Sequence, residues 1–129
     1  MDLIFHSTES FEQDLQQFDD IARQKVITHL NDVAQAFIDD KKTFAKLARK
    51  PYPIEMLNGY DSSLYAVRIA PNFRAILTVD EDPLFNQVIV TLIRIVQSPF
   101  FKETYMNTAK ILYQSLNGTD IQYEGTTIG

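Results

Sequence analysis

At 129 residues, with 45% hydrophobic and 22% charged side chains, the chain has the length and balance of one globular domain with a real core. The absence of cysteine excludes disulfides and thiolate metal sites, and no run approaches the roughly 18 apolar residues of a membrane span. The net charge of -5 argues against a broad nucleic-acid-binding surface, because phosphate binding needs clustered cations. Met1 is followed by Asp2, Leu3, Ile4 and Phe5 with no basic segment, so no signal peptide is expected and the expected setting is the cytoplasm.

Leu3 to His6 reads as a short first strand, near residues 2–6. Ser7 or Thr8 offers a helix N-cap, and Glu9 and Glu12 suit a first helical turn. Phe11, Leu15 and Phe18 then recur on one helical face. Asp19-Asp20 breaks that helix and caps the next, in which Val26, Leu30, Val33 and Phe37 keep helical spacing. Together these predict a helical hairpin over about residues 8–39. Residues 41–50 hold five bases and no acid, with Phe44 and Leu47 among them, which fits a short helix with its cations outward. Pro51 and Pro53 stop regular structure, and Leu57-Asn58-Gly59 reads as a turn.

Strands near residues 64–70 and 73–79 read as a hairpin joined by the tight Ala70-Pro71-Asn72 connection. Asp80-Glu81-Asp82-Pro83 is a polar turn. Residues 87–96 are strongly β-branched, which suits a central buried strand. A last helix starts at Ser98 or Pro99, with Tyr105, Ala109, Leu112 and Leu116 as its apolar face, and Asn117-Gly118 as its stop. The organisation is one domain over 1–118 and a polar tail over 119–129. The order β-α-α-β-β-β-α predicts an α+β fold, with the helical hairpin on one face of an antiparallel meander.

Charge is unevenly spread. Residues 1–40 carry nine acids and two bases, 41–79 carry seven bases and two acids, and 80–129 carry six acids and three bases. A local cationic site in the middle of the chain is therefore compatible with the acidic total. His6 and His29 are the only histidines and lack the i, i+4 spacing of a helical metal site. There is no Gly-rich phosphate loop, no zinc spacing and no Ser/His/Asp constellation, so neither a metal nor a cofactor is expected.

Met56-Leu57-Asn58-Gly59, followed by Leu64-Tyr65-Ala66-Val67-Arg68-Ile69-Ala70-Pro71-Asn72-Phe73-Arg74-Ala75-Ile76-Leu77-Thr78-Val79-Asp80, resembles the RelE/ParE toxin superfamily. These are the toxin halves of type II toxin–antitoxin pairs. The turn, the strand carrying Arg68, the short loop and the strand opening on Phe73-Arg74 keep the family's order. The Arg68-to-Arg74 spacing is similar to its YoeB-like branch. The resemblance covers about residues 2–105. It implies a cognate antitoxin and, for the ribonuclease members, cutting of mRNA on the ribosome through attack of a ribose 2′-hydroxyl on the adjacent phosphate. That reaction needs a base, an acid and cations for the phosphorane charge.

Carried over residue by residue, Arg74 matches the hairpin arginine that holds the scissile phosphate, with Arg68 in support from the neighbouring strand. Glu55 lies near the position of a carboxylate base, and Tyr105 matches a C-terminal tyrosine. Arg74 equally suits a surface arginine paired with Asp61 or Asp80, and Tyr105, at helical spacing with Ala109 and Leu112, is more often a core residue. The strand residues Leu64 to Val67 stand where RelE-like enzymes place lysines. Gln97-Ser98-Pro99-Phe100-Phe101 lacks both their arginine-rich stretch and the YoeB-like His-Tyr pair. Three functions stay open: a ribosome-dependent endoribonuclease, a ParE-like toxin that binds DNA gyrase, and a non-catalytic binding module. The Lys41–Lys50 run and Phe100-Phe101 are the expected antitoxin contacts, and the basic run is also a candidate contact to ribosomal RNA.

Overall fold

The computed structural model describes residues 1–56 and 59–114. Two turn residues (57 and 58), Leu116, the Asn117-Gly118 stop and the domain–tail boundary lie outside them.

The chain opens on β1 (Asp2–Ser7), α1 (Glu9–Leu15) and α2 (Asp20–Asp39). The helix ends are set by short polar side chains. Thr8 caps α1 by accepting from the Phe11 amide, and Asp19 caps α2 by accepting from the Ala22 amide at 2.8 Å. Asp40 closes α2 and starts α3 (Lys41–Leu47), accepting from the Lys42 and Thr43 amides and from the Thr43 hydroxyl. Led by the Thr43 hydroxyl bond, these contacts hold its carboxyl below the usual carboxylate range.

The anticipated basic helix is thus real but shorter than the run. Its last residues form β2 (Ala48–Arg49), a two-residue strand that the sequence reading left out. Pro51 lies just beyond it, and a proline cannot donate to a ladder. β3 (Leu64–Ala70), β4 (Phe73–Asp82), β5 (Gln87–Gln97) and α4 (Ser98–Ala109) follow, and α4 runs into a π-helical turn over Lys110–Gln114.

The five strands form one sheet in the order β1-β5-β4-β3-β2. β1 lies parallel to β5, and every other pairing is antiparallel. This is the expected α+β architecture, with the meander backed by the helical hairpin. Side-chain alternation along the strands divides the core in two. Val67, Ala75, Leu77, Val88 and Val90 pack with Phe11, Leu30, Val33 and Phe44 from α1, α2 and α3. Leu64, Ala66, Ile76 and Val96 pack on the other face with Phe101, Tyr105 and Ala109 of α4. The sheet is therefore covered on both faces.

One irregularity is stitched in place. β5 pairs Arg94 with Ile76 but Leu92 with Leu77, so Ile93 is an extra residue, a β-bulge. The Thr8 hydroxyl donates to the Ile93 carbonyl at 2.7 Å, and Asp14 accepts from the Ile95 amide at 2.8 Å. Asp14 also takes both Nε and Nη2 of Arg94, at 2.7 and 3.2 Å. The start and end of α1 thereby satisfy backbone groups that the bulge frees.

Candidate functional site

Arg68 and Arg74 are directly opposed across the β3–β4 hairpin. Arg68 shares the parity of Leu64 and Ala66, and Arg74 that of Ile76, so both sit on the α4 face. α4 starts at Ser98, whose amide donates to the Asn72 carbonyl in the β3–β4 turn. Phe101, one helical turn on, is buried, and the Arg74 guanidinium lies 4.8 Å from its ring centroid. An arginine over an aromatic face gains electrostatically and loses freedom, so Arg74 is held where Arg68 is exposed.

β2 brings two more cations to the same place. Ala48 pairs with Val67 and packs in the first core, so Arg49, paired with Ala66, turns to the α4 face. Lys46 arrives from the end of α3. Lys46, Arg49, Arg68 and Arg74 line one hollow of about 330 Å³, with Leu47 and Ala66 as its apolar lining. Among the described residues, the ion pairs are Arg23 with Asp20 and Arg94 with Asp14. None of the four cleft cations meets a carboxylate there, so the Asp61 or Asp80 pairing anticipated for Arg74 is not formed.

Like charges directly opposed across a strand pair repel. Arg68 and Arg74 therefore form a site that gains by taking up an anion. Guanidinium groups present forked donors that match phosphate or carboxylate in geometry. Among the described residues, the wall has no carboxylate, imidazole or phenol. It can hold and neutralise a polyanion, and Lys46 is its one side chain suited to giving up a proton.

Tyr105 does not join the cleft. It is fully buried in the second core, its hydroxyl donates to the Leu64 carbonyl at 2.8 Å, and its ring packs between Tyr52 and Phe101. Burial raises its pKa to about 12, helped by Tyr113 and Tyr65. Of the two readings open for Tyr105, the structure fits the core one. Glu55 is exposed between β2 and β3 and does not line the cleft. Of the two phenylalanines expected at an antitoxin surface, Phe100 is exposed but Phe101 is core, because it underlies Arg74.

Lys46 and Arg49 belong to the basic run noted in the sequence. Its union with the hairpin arginines depends on β2, which leaves too short a pattern to read. A larger hollow of about 470 Å³ lies between β5 and α4, lined in part by Thr8, Thr91, Thr104 and Thr108. Its one cation, Arg94, is already held by Asp14. No helix is long and apolar enough to cross a membrane among the described residues, and no cluster there could hold a metal.

No protein-family model matches the chain, and no curated protein matches it. Among solved structures, the archaeal RelE–RelB complex from Pyrococcus horikoshii OT3 aligns with 76% of this chain and 97% of its own, at 13% identity and a TM-score of 0.51. The E. coli DinJ–YafQ toxin–antitoxin complex aligns with 78% and 98%, at 11% identity and a TM-score of 0.43. The YoeB/ParE toxin from Agrobacterium tumefaciens aligns with 75% and 98%, at 19% identity and a TM-score of 0.37. The match to the archaeal RelE–RelB complex is one of fold: the chain has a RelE-like fold.

Proposed function

We propose that this protein is the toxin-type component of a toxin–antitoxin pair, and that it acts by seating an RNA backbone in the Lys46/Arg49/Arg68/Arg74 cleft. The observation that carries the reading is the convergence of four cations, none paired with a carboxylate among the described residues, on one hollow of this fold. On a ribosome, Arg74 holds the scissile phosphate and stabilises its developing charge, with Arg68 in support. Glu55, six residues after Arg49, is the candidate base for the 2′-hydroxyl. A cognate antitoxin silences the protein by covering the cleft with an acidic segment, a contact that needs no catalytic group.

The composition of the cleft wall favours a second reading, in which the cleft binds without cutting. A ParE-like toxin that engages DNA gyrase needs a binding surface and no catalytic set, and so does a binding module. Induced expression, with mRNA cleavage mapped on translating ribosomes beside a gyrase supercoiling assay, separates these. Ribosome-dependent cutting that is lost in Arg74→Ala and in Glu55→Gln supports the nuclease. Growth arrest with intact mRNA and blocked supercoiling supports the gyrase reading. Absence of any growth effect leaves the binding module.

A further inference from the structure

The β4–β5 turn carries two large apolar side chains in succession. Leu84 and Phe85 stand side by side at its tip, 82% and 68% exposed, a pairing of large apolar groups in full solvent. They are not loose. The Asp82 carboxylate accepts from the Phe85 amide and from the Gln87 side chain, Asn86 takes the left-handed conformation that closes the turn, and its carbonyl accepts from the Asp2 amide. Below the tip lie Asp80, Glu81 and Asp82. The turn is thus an apolar tip on an acidic collar, presented by a rigid hairpin.

The cleft is its complement. Four cations surround an apolar lining of Leu47 and Ala66. The two features cannot meet within one chain. Arg74 and Asp82 are near opposite ends of β4, roughly 27 Å apart at about 3.4 Å per residue, and β4 is paired with β5 along that length and with β3 as far as Thr78. We infer that the β4–β5 tip of one copy plugs the basic cleft of a second copy. Because tip and cleft lie at opposite ends of the same strand, two copies set side by side in opposite directions make the contact twice. Such a pair closes on itself and leaves no free tip or cleft. The collar supplies opposite charge to cations that otherwise repel one another, and Leu84 and Phe85 leave water against the cleft's apolar lining. The pair is a stored form in which the cleft is covered. The contact itself does not depend on what the free cleft acts upon.

The test is sedimentation of the full chain over a range of protein and salt concentrations, with far-UV circular dichroism confirming that each variant is folded. The native chain is expected to form a concentration-dependent dimer that weakens between about 0.1 M and about 1 M salt, as the screening length shortens from about 10 Å to about 3 Å. Leu84→Asp with Phe85→Asp, and separately Arg68→Glu, should each weaken it about tenfold or more. All three positions are exposed, so folding is not at stake. Mixing the tip variant with the Arg68→Glu variant should restore association in part, since one intact tip then meets one intact cleft. A chain that stays monomeric at all concentrations overturns the inference. So does a dimer that survives both sets of substitutions, or one that mixing fails to rebuild.

Discussion

Arg74 and Arg94 lie on neighbouring strands of one sheet and have opposite fates. Arg94 is opposite Ile76 and is taken in a two-pronged grip by Asp14, which also accepts from the Ile95 amide. Its charge is spent on fixing α1 to the bulge in β5. Arg74 is opposite Arg68, rests on the ring of Phe101, and meets no carboxylate among the described residues. Its charge stays uncompensated among the described residues. The residue type is the same, and the group across the ladder and the helix packed on top decide whether an arginine holds the fold together or waits for an anion.

The sharpest way to break this comparison is to remove each arginine in turn. Should the cleft prove to be a nuclease site, Arg74→Ala is expected to lower the rate of ribosome-dependent RNA cutting by about 100- to 1,000-fold, the usual effect of deleting a charge-stabilising donor. Its effect on stability should be about 0.5–1 kcal/mol, the loss of an exposed cation–aromatic contact. Arg94→Ala should do the reverse. Cleavage assays beside urea denaturation give both numbers, and equal stability losses for the two variants would erase the distinction.

The next effect lies on the structural arginine's partner. Asp14→Ala leaves the Ile95 amide and the Arg94 guanidinium without their acceptor, at a cost of about 1–3 kcal/mol. Asp14 is well shielded, but Arg94 is about a third exposed, so the lower half of that range is expected. A double-mutant cycle with Arg94→Ala should show a coupling of about 0.5 kcal/mol or more. Additive losses would mean that the grip is merely geometric.

Tyr105 offers a smaller test, through pH. Its folded pKa is raised from 10.0 to about 12, chiefly by burial, so above pH 10 the unfolded chain releases a proton that the folded chain keeps. The stability tied to the neutral phenol is therefore fully present below pH 10 and is lost as pH rises toward about 12. Tyr105→Phe should flatten that alkaline decline, while costing about 1 kcal/mol near neutrality for the lost bond to the Leu64 carbonyl. Denaturation midpoints measured across this range decide it. An equally steep decline in the variant would move the cause to another group.

The smallest expected change is in Arg68→Thr. Relieving one of two opposed like charges should leave stability within about 0.5 kcal/mol of the native chain, or slightly above it. Binding of a short RNA should nevertheless weaken, with a shallower salt dependence. Calorimetry and a filter-binding titration would show the two effects moving apart.

Much of the fold could be read along the chain because its signals are local. Thr8 and Asp19 cap helices through bonds to amides three residues on, and the β-branched run at 87–96 needs no partner to favour a strand. The hairpin was legible in its short Ala70-Pro71-Asn72 connection, but the Arg68–Arg74 opposition was not: with Ala70 opposite Phe73 a regular ladder would set Ile69 against Arg74, and the irregularity between Arg68 and Ala70 brings the two arginines together. The cleft as a whole was not. Lys46 and Arg49 sit about twenty residues before the hairpin and reach it through a ladder of two residue pairs, too brief to leave a period. Tyr105 carried an ambiguous signal: helical spacing with Ala109 fits either a buried ring or a reactive hydroxyl, and only its contact with the Leu64 carbonyl distinguishes them.

The sequence by itself determined the α+β class, the order of the elements and the cationic middle of an acidic chain, because helix caps, side-chain periodicity and turn residues act over a few positions. Tertiary structure decided which cations converge, which arginine Asp14 neutralises, and that Phe101 serves as a floor for Arg74 rather than as surface. Those outcomes depend on contacts across tens of residues, where the energy comes from partners brought together by packing rather than from neighbours in the chain.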